Sequence, residues 1–550
     1  MMKLSSILSY AWRISSCVRL RILSDAAVGV VRIGCGLLFI WLSKQLIDIA
    51  VGDAAGDMLL YSLLLIGTVA LETACAVLQG NLETATEAGL KNSLRHTLFV
   101  RVMNSTWNGR EQFHTADVVN RLEEDARITA ETLCRTVPAT LVSLCQAVGA
   151  FVFLCALSPV LGWIIAGILP LFLLTAKLYT RRMRSLTTDI RATDSRVQTL
   201  IQEHLQHRIL LLGMMRVAPV FSRLGTLQSE LYGKVMRRNR FTQFTRTMML
   251  LGFGAGYLTA FLWGVAQLQQ GALTFGVLTA FLQLVGQVQR PTADLSRQLP
   301  GLVHALTSLS RLAELDTLTP EAKGLAPHAE ALDGVRFNRV TFAYPDGRRK
   351  ILDGFTHDFH SGTSTAIMGE TGAGKSTLMR LMLGLLRPQE GAITLYNKEG
   401  GPTAAASAAT RGAFVLVPQG NSLLSGTIRA NMLLGNPAAT AGQLQEALHT
   451  AAADFVHNLP QGLDTPCGEG GAGLSEGQAQ RIAIARGLLC AGRILLLDEF
   501  SSALDADTEH LLMERLTAHA AGKTLIFITH RPEICLLYTS DAADDRISVD

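Results

Sequence analysis

From residue 26 to residue 289 the chain is a series of apolar runs, separated alternately by very short turns and by long polar stretches. The clearest run, 247–289, contains no Lys, Arg, Asp or Glu and divides at Gln267-Leu268-Gln269-Gln270-Gly271. Each half is close to the ~20 residues that a helix needs to cross a bilayer. Residues 137–176 are likewise uncharged and divide at Ser158-Pro159. The runs 26–50 and 58–80 carry Arg32, Lys44, Asp48 and Glu72, but Gly52 and Gly56 open a flexible turn between them. The pattern therefore predicts six membrane-spanning helices in three hairpins. The stretches 81–136 and 177–246 are rich in Lys and Arg while the three short turns contain none, which places the long stretches and both termini on the cytoplasmic side. Both long stretches are predicted helical, carrying the spans well beyond the bilayer.

The pattern changes after a connector containing Pro320, Gly324 and Pro327. Short apolar runs without alternation, STAIMG, ILLLDE and TLIFITH, read as strands buried on both faces, and they are interspersed with helix-like STLMRLMLGLL and QRIAIARGLL. The expected organisation is multi-domain: an all-α six-helix transmembrane domain over 1–315, a linker over 316–330 and an α/β domain over 331–550.

Composition narrows the class. A chain of 550 residues is too long for one core. With 49% hydrophobic and 17% charged residues and a mean hydropathy of +0.28, it is too apolar for a wholly soluble protein. A net charge of +4 gives no support for nucleic acid as a partner. The nine cysteines show no C-x-x-C and read as reduced. The N-terminal stretch up to Leu23 alternates basic and apolar residues, predicting an amphipathic helix on the cytoplasmic membrane surface rather than a signal peptide. Arg32 and Glu72 reach similar depth in the first two spans: they either form an ion pair, or line a watery cavity without touching, or Arg32 snorkels to the surface.

The candidate chemistry lies in the second domain. Gly369-Glu370-Thr371-Gly372-Ala373-Gly374-Lys375-Ser376 matches G-x-x-x-x-G-K-[ST] between a strand and a helix. Glycines let the backbone wrap phosphates, Lys375 reaches the β/γ oxygens and the Ser376 hydroxyl is placed to ligate Mg²⁺. About a hundred residues later, Leu474-Ser475-Glu476-Gly477-Gln478 opens a helix whose free N–H groups favour an anion. The strand ILLLDE then delivers Asp498 and Glu499 to its C-terminal end, where α/β sheets bind ligands.

In this order, over nearly all of 331–530, the motifs resemble the ATP-binding-cassette (ABC) family. That resemblance implies that 331–550 is an α/β P-loop NTPase (ABC ATPase) domain, with ATP and Mg²⁺ as cofactors. It makes Tyr344 in VTFAYP the aromatic that stacks on adenine; Gly369, Thr371, Gly372, Gly374, Lys375, Ser376 and Thr377 the phosphate loop; and Ser475, Gly477, Gln478 and Asp505 the nucleotide contacts made across a dimer. Gln419 is implied to reach Mg²⁺ and the attacking water, Ser376 and Asp498 to hold Mg²⁺, Glu499 to act as base, and His530 to orient the γ-phosphate. Residues 465–470 resemble the loop that precedes the signature in exporter-type members. The six-span plan resembles the type IV, exporter-like membrane domain, whose long loops carry coupling helices, here expected near 113–121 and 204–214.

The function so implied is an ATPase-driven half-transporter in a bacterial inner membrane. It would pair with a second copy or a related chain and export an unidentified amphipathic small molecule, lipid or peptide. An importer of a siderophore-like metal chelate on the same scaffold is the alternative. A soluble ABC ATPase is opposed by the six spans, and an ATP-gated channel or regulator finds no extra regulatory domain. Two departures stand out. Glu476 replaces a usual signature glycine, and after Arg531 the stretch LLYTSDAADDRISVD fits the family poorly, so a truncated end carrying a foreign tail is expected.

Overall fold

The computed structural model describes residues 4–107, 113, 115–321, 331–344, 350–370, 372–400, 403–468, 473–520, 522–529 and 546–548. It divides into two compact units: 1–102 with 115–317, and 103–114 with 318–550.

The first unit is helical. α1 (Leu4–Ile14) precedes α2 (Arg19–Val51) and α3 (Met58–Met103), and the helix α4 runs from Thr115 to Leu157. α5 (Pro159–Gln206), the single-turn α6 (Arg208–Gly213), α7 (Val217–Gln269) and α8 (Phe275–Asp316) complete it. α2 stops at Gly52, which takes φ +93° while its N–H bonds the carbonyls of Asp48 and Ile49; this left-handed stop is one that glycine adopts without strain. α4 ends at extended Ser158, and Pro159 opens α5 at a position where its missing N–H costs nothing. Within α4, π turns at Arg121–Asp125 and Thr132–Thr136 interrupt the regular ladder.

Four of the described helices, α2, α3, α4 and α7, are long and apolar enough to cross a membrane. The apolar stretch of α3 is only 6% buried, so its Leu and Ile face outward, as lipid-facing residues do. Inside, Ile40, Leu154, Ala260, Phe281 and Leu284 join α2, α4, α7 and α8 in one cluster. Polar side chains link the same helices. The Asp48 carboxylate pairs with Lys44 at 3.1 Å and accepts the Gly276 N–H at 2.9 Å, capping the start of α8. Gln146 bonds Gln287, and Gln289 donates to the Phe253 carbonyl at 3.1 Å.

The structure bears on two of the sequence expectations, the alternatives for Arg32 and the short loop helices. Arg32 does not take Glu72 as its hydrogen-bond partner: it donates to Gln79 of α3 at 3.1 Å. Matching depths by run length ignored the offset of α3 along α2, which brings a residue two turns further along α3 to the guanidinium. Of the first short loop helix, expected near 113–121, residues 115–120 are helical and open the long α4. The segment between α3 and α4 is 104–114, of which 108–112 and 114 lie outside the described residues. The expectation near 204–214 meets α6, whose Ile209 is 87% exposed.

The second unit holds three sheets. β1 (Gly334–Phe342), β2 (Leu352–Phe359), β4 (Glu390–Tyr396) and β5 (Ala404–Ala405) form an antiparallel sheet in the order β2-β1-β4-β5. β3 (Ser364–Met368), β6 (Phe414–Val417), β9 (Ile494–Asp498), β10 (Thr524–Ile528) and β11 (Arg546–Ser548) form a parallel one, ordered β11-β3-β10-β9-β6. β7 (Gly426–Thr427) and β8 (Pro466–Cys467) make a small pair. The parallel strands read as unbroken apolar runs because both faces are covered: β9 buries Ile494 to Leu497 and β10 buries all five residues. Of the helices α9 (Lys375–Met382), α10 (Ile428–Leu433), α11 (Ala441–Thr450), α12 (Glu476–Leu488) and α13 (Ala506–His519), α9, α12 and α13 contribute Leu378, Ile482 and Leu512 to the two cores beside the sheet. Within the atypical tail, residues 546–548 add the edge strand β11 alongside β3.

Candidate functional site

Because β3, β9 and β10 run parallel and in register, their C-terminal ends open on one edge. The segments after them, from Gly369, Asp498 and Thr529, therefore emerge together, at the edge where such sheets hold ligands. Gly374, at φ +104°, is the N-cap of α9, so the loop can turn directly into a helix whose first residue is Lys375. Lys375 is 6% exposed and its ammonium is held at home, donating to the carbonyls of Gly369 at 2.7 Å and Glu370 at 3.0 Å. Those bonds point the charge into the loop, where a phosphate would compete for it.

The Asp498 carboxylate has the Ser376 hydroxyl as a neighbour, and its Oδ1 is buried without a hydrogen-bond partner. Burial raises the Asp498 pKa and the neighbouring Glu499 adds to the rise, against the Ser376 hydroxyl and the positive charges of Arg380 and Lys375. An orphaned carboxylate oxygen beside a hydroxyl suits a hard cation that takes its remaining ligands from phosphate and water. Among the described residues no group of three His, Cys, Asp or Glu side chains is placed to hold a metal by itself. Mg²⁺ with a nucleotide fits this donor set.

Glu499 sits at φ +44°, a costly conformation for a residue with a side chain. Gln480, buried on α12, holds its carbonyl at 3.1 Å, while the Gln419 amide donates to the Glu499 carboxylate at 2.5 Å. The Gln419 side chain is thus directed at Glu499. Tyr344, just after β1, lies edge-on to Phe342 with ring centroids 5.1 Å apart, and its hydroxyl meets that of Thr377 at 3.0 Å. Ser475 caps α12 in a reciprocal pair with Gln478. A Cβ on Gly477 would lie 2.7 Å from the Ala503 carbonyl, so the approach of the 499–505 segment requires glycine there. Glu476 is exposed at the same helix start, which is why a side chain fits at that position. Asp505 caps α13, accepting the Thr508 N–H at 2.9 Å; this backbone bond and the Thr508 hydroxyl lower its pKa. Thr371 and His530 lie outside the described residues, as do Glu469 and Gly470 of the pre-signature loop.

The family model described as the ABC transporter transmembrane region matches residues 26–292, and the one described as ABC transporter matches 352–502. The chain belongs to the ABC transporter family. It is 30% identical over 436 residues to the ABC multidrug transporter mdr2 of Aspergillus fumigatus, covering 76% of this chain and 53% of that protein. It is 30% identical to the mitochondrial ATP-binding cassette sub-family B member 10 of Mus musculus, over 80% of this chain and 62% of that one. The chain thus spans little more than half the length of these two curated relatives. With the ATP-dependent lipid A-core flippase of Desulfotalea psychrophila it shares 28% identity over 76% of its own length and 73% of the other. A solved bacterial Atm1-family ABC exporter with ATP bound has the same fold, with a TM-score of 0.77 at 24% identity over 97% of this chain and 94% of that one. An ABC transporter transmembrane region and an ABC ATPase region thus follow one another in this stretch of chain.

Sequence reasoning missed Gln480, buried and bonded to the Glu499 backbone, and Arg380, whose guanidinium reaches Tyr344. The spacing held a signal for the second: Arg380 follows Ser376 by four residues and so shares its helix face.

Proposed function

We propose that the chain hydrolyses ATP to drive export of an amphipathic small molecule, lipid or peptide across a membrane, working as a dimer of half-transporters. The observation that carries this reading is the Asp498 carboxylate, with one oxygen buried and unpartnered, beside Ser376 of the phosphate loop and next to Glu499. In this reading Lys375 exchanges its bonds to Gly369 and Glu370 for phosphate oxygens, and the loop amides share that charge. Tyr344 stacks on adenine. Ser376 and Asp498 hold Mg²⁺, which when bound offsets the phosphate charge, and Gln419 stands beside it. Glu499 accepts the proton of the attacking water, its carboxylate aimed by the Gln419 amide and its backbone by Gln480. His530 orients the γ-phosphate, and Ser475, Gly477, Gln478 and Asp505 complete the partner's site.

The likeness to proteins named as a multidrug transporter and a lipid flippase supports export over import. The outward apolar faces of α2, α3, α4 and α7 support embedding in a bilayer, and we place both termini in the cytoplasm beneath a bacterial inner membrane. The domain limits follow the sequence: 1–315, 316–330 and 331–550. The test is ATP turnover by the full chain in lipid vesicles of controlled sidedness against lipids, drugs, peptides and metal chelates. Stimulation by an amphipathic compound that leaves the ATPase side is expected. Stimulation only by a chelate that accumulates on the ATPase side overturns export.

A further inference from the structure

The second unit contains more than the ATPase sheet. The residues that continue α3 pair with those that follow α8: Ser105 bridges Pro320, the Thr106 N–H bonds the Thr319 carbonyl at 2.9 Å and the Glu321 N–H bonds the Asn104 carbonyl at 2.7 Å. This short ladder grips α9, the helix that begins at the phosphate loop, in two places. Glu321 forms a two-pronged ion pair with Arg411, at 2.5 and 2.8 Å, and Arg411 also donates to the carbonyls of Leu383 and Gly384, just past the end of α9. Trp107 packs against the core around β1 and α9, with the Arg380 guanidinium stacked 5.1 Å from its ring centre. Arg380 in turn donates to the Tyr344 hydroxyl at 3.3 Å, and that hydroxyl is shared with Thr377.

We propose that Arg380 and Trp107 are positioning residues that report nucleotide occupancy from the phosphate-loop helix to the ladder of 104–106 and 319–321. This rests on the ATPase reading above. Binding at the loop must disturb both contacts of Arg380. Lys375 has to leave the Gly369 and Glu370 carbonyls at the N-terminus of α9, and a purine over Tyr344 changes the ring whose hydroxyl Arg380 holds. A cation stacked on a half-buried indole is sensitive to small displacements, since the attraction depends on its position over the ring face. The ladder is continuous in the chain with α3 and lies shortly after α8, so a shift of Arg380 is delivered where two long helices end. The Arg411–Glu321 pair makes the grip two-point, so α9 cannot tilt without moving the ladder. By reciprocity, loosening the ladder must change ATP affinity although Trp107 lies outside the nucleotide site.

The experiment uses the full chain carrying Glu499→Gln, with Trp12, Trp41, Trp163 and Trp263 changed to Phe so that Trp107 alone emits. Mg²⁺-ATP is expected to change Trp107 emission with the same half-saturation as retention of radiolabelled ATP. Arg380→Leu should abolish that change while ATP is still retained, and Arg380→Lys should restore part of it. In the chain with native Glu499 and its native tryptophans, Trp107→Leu should shift half-saturation by ATP about fivefold, the worth of one partly exposed cation–π contact, with turnover at saturating ATP retained. Should Arg380→Leu fail to fold, Glu321→Gln tests the second grip and should reduce the emission change. Retained ATP with unchanged Trp107 emission overturns the proposal, as does a full emission change in Arg380→Leu. A folded protein that retains no ATP overturns the ATPase reading and the inference with it.

Discussion

The two units differ in where their buried polar side chains are left unmet and what stands beside them. In the ATPase unit the interior polar groups stay short of partners where the motifs converge: Asp498 keeps one oxygen empty, Gln480 keeps its Oε1 empty, and Lys375 is parked on two carbonyls. In the helical unit polar groups satisfy each other across helices, Asp48 with Lys44 and the α8 N-terminus, Gln146 with Gln287, Arg32 with Gln79. Buried atoms without a hydrogen-bond partner occur there too, on Arg19, Asp25, Thr86, Asp125 and Thr129, so what sets the ATPase unit apart is that unmet groups lie at its motifs. Unmet hydrogen-bonding capacity costs stability, and where it stands beside Lys375 at the phosphate loop a ligand supplies the missing partner. Satisfied pairs between apolar helices hold packing together and carry little information about cargo.

The largest test of this contrast is Glu499→Gln, expected to cut turnover by roughly 10²- to 10⁴-fold while ATP binding survives, since the base is lost but Lys375 and Asp498 remain. Retained turnover in purified protein removes Glu499 from its role. In the helical unit, Asp48→Ala should leave Lys44 and the Gly276 N–H without their partner. The expected loss is about 3–5 kcal/mol, because breaking a buried pair strands a charge. Thermal unfolding in detergent measures it, and an unchanged midpoint would show that the pair is solvated.

Gly477→Ala pushes a methyl against the Ala503 carbonyl and should cost about 1–3 kcal/mol, with reduced turnover. Glu476→Ala at the neighbouring exposed position serves as its control for stability. The raised pKa of Asp498 has a definite sign. Metal binding needs the carboxylate, so protons compete as pH falls through a folded-state pKa higher than that of an ordinary Asp. The Mg²⁺ concentration for half-maximal ATP binding should therefore rise on acidification, by up to about tenfold per pH unit below that pKa, and a flat profile refutes the assignment. The smallest effect is expected for Arg32 and Gln79. A double-mutant cycle should show coupling of about 0.6 kcal/mol, typical of hydrogen bonds between membrane helices, whereas Arg32 with Glu72 should be additive.

The sequence alone determined what depends on local pattern. Six long helices follow from apolar runs and their charge-free turns, because every backbone group in a bilayer must be bonded within its own segment. The phosphate loop, the signature helix and the Asp498-Glu499 strand end are legible because each demands particular residue types at fixed spacing: Gly374 for a left-handed turn, Gly477 for a backbone approach, four apolar residues for a strand covered on both faces. Only the tertiary structure decided which distant groups meet. Arg32 chose Gln79 over Glu72 because the offset of two helices cannot be read from either one. Trp107, Glu321, Arg380 and Arg411 stand in four separate stretches of sequence without a shared motif. Their grip on α9 exists because the chain brings the continuation of α3 and the connector after α8 back to one sheet, and pairing between segments more than two hundred residues apart leaves no local signature.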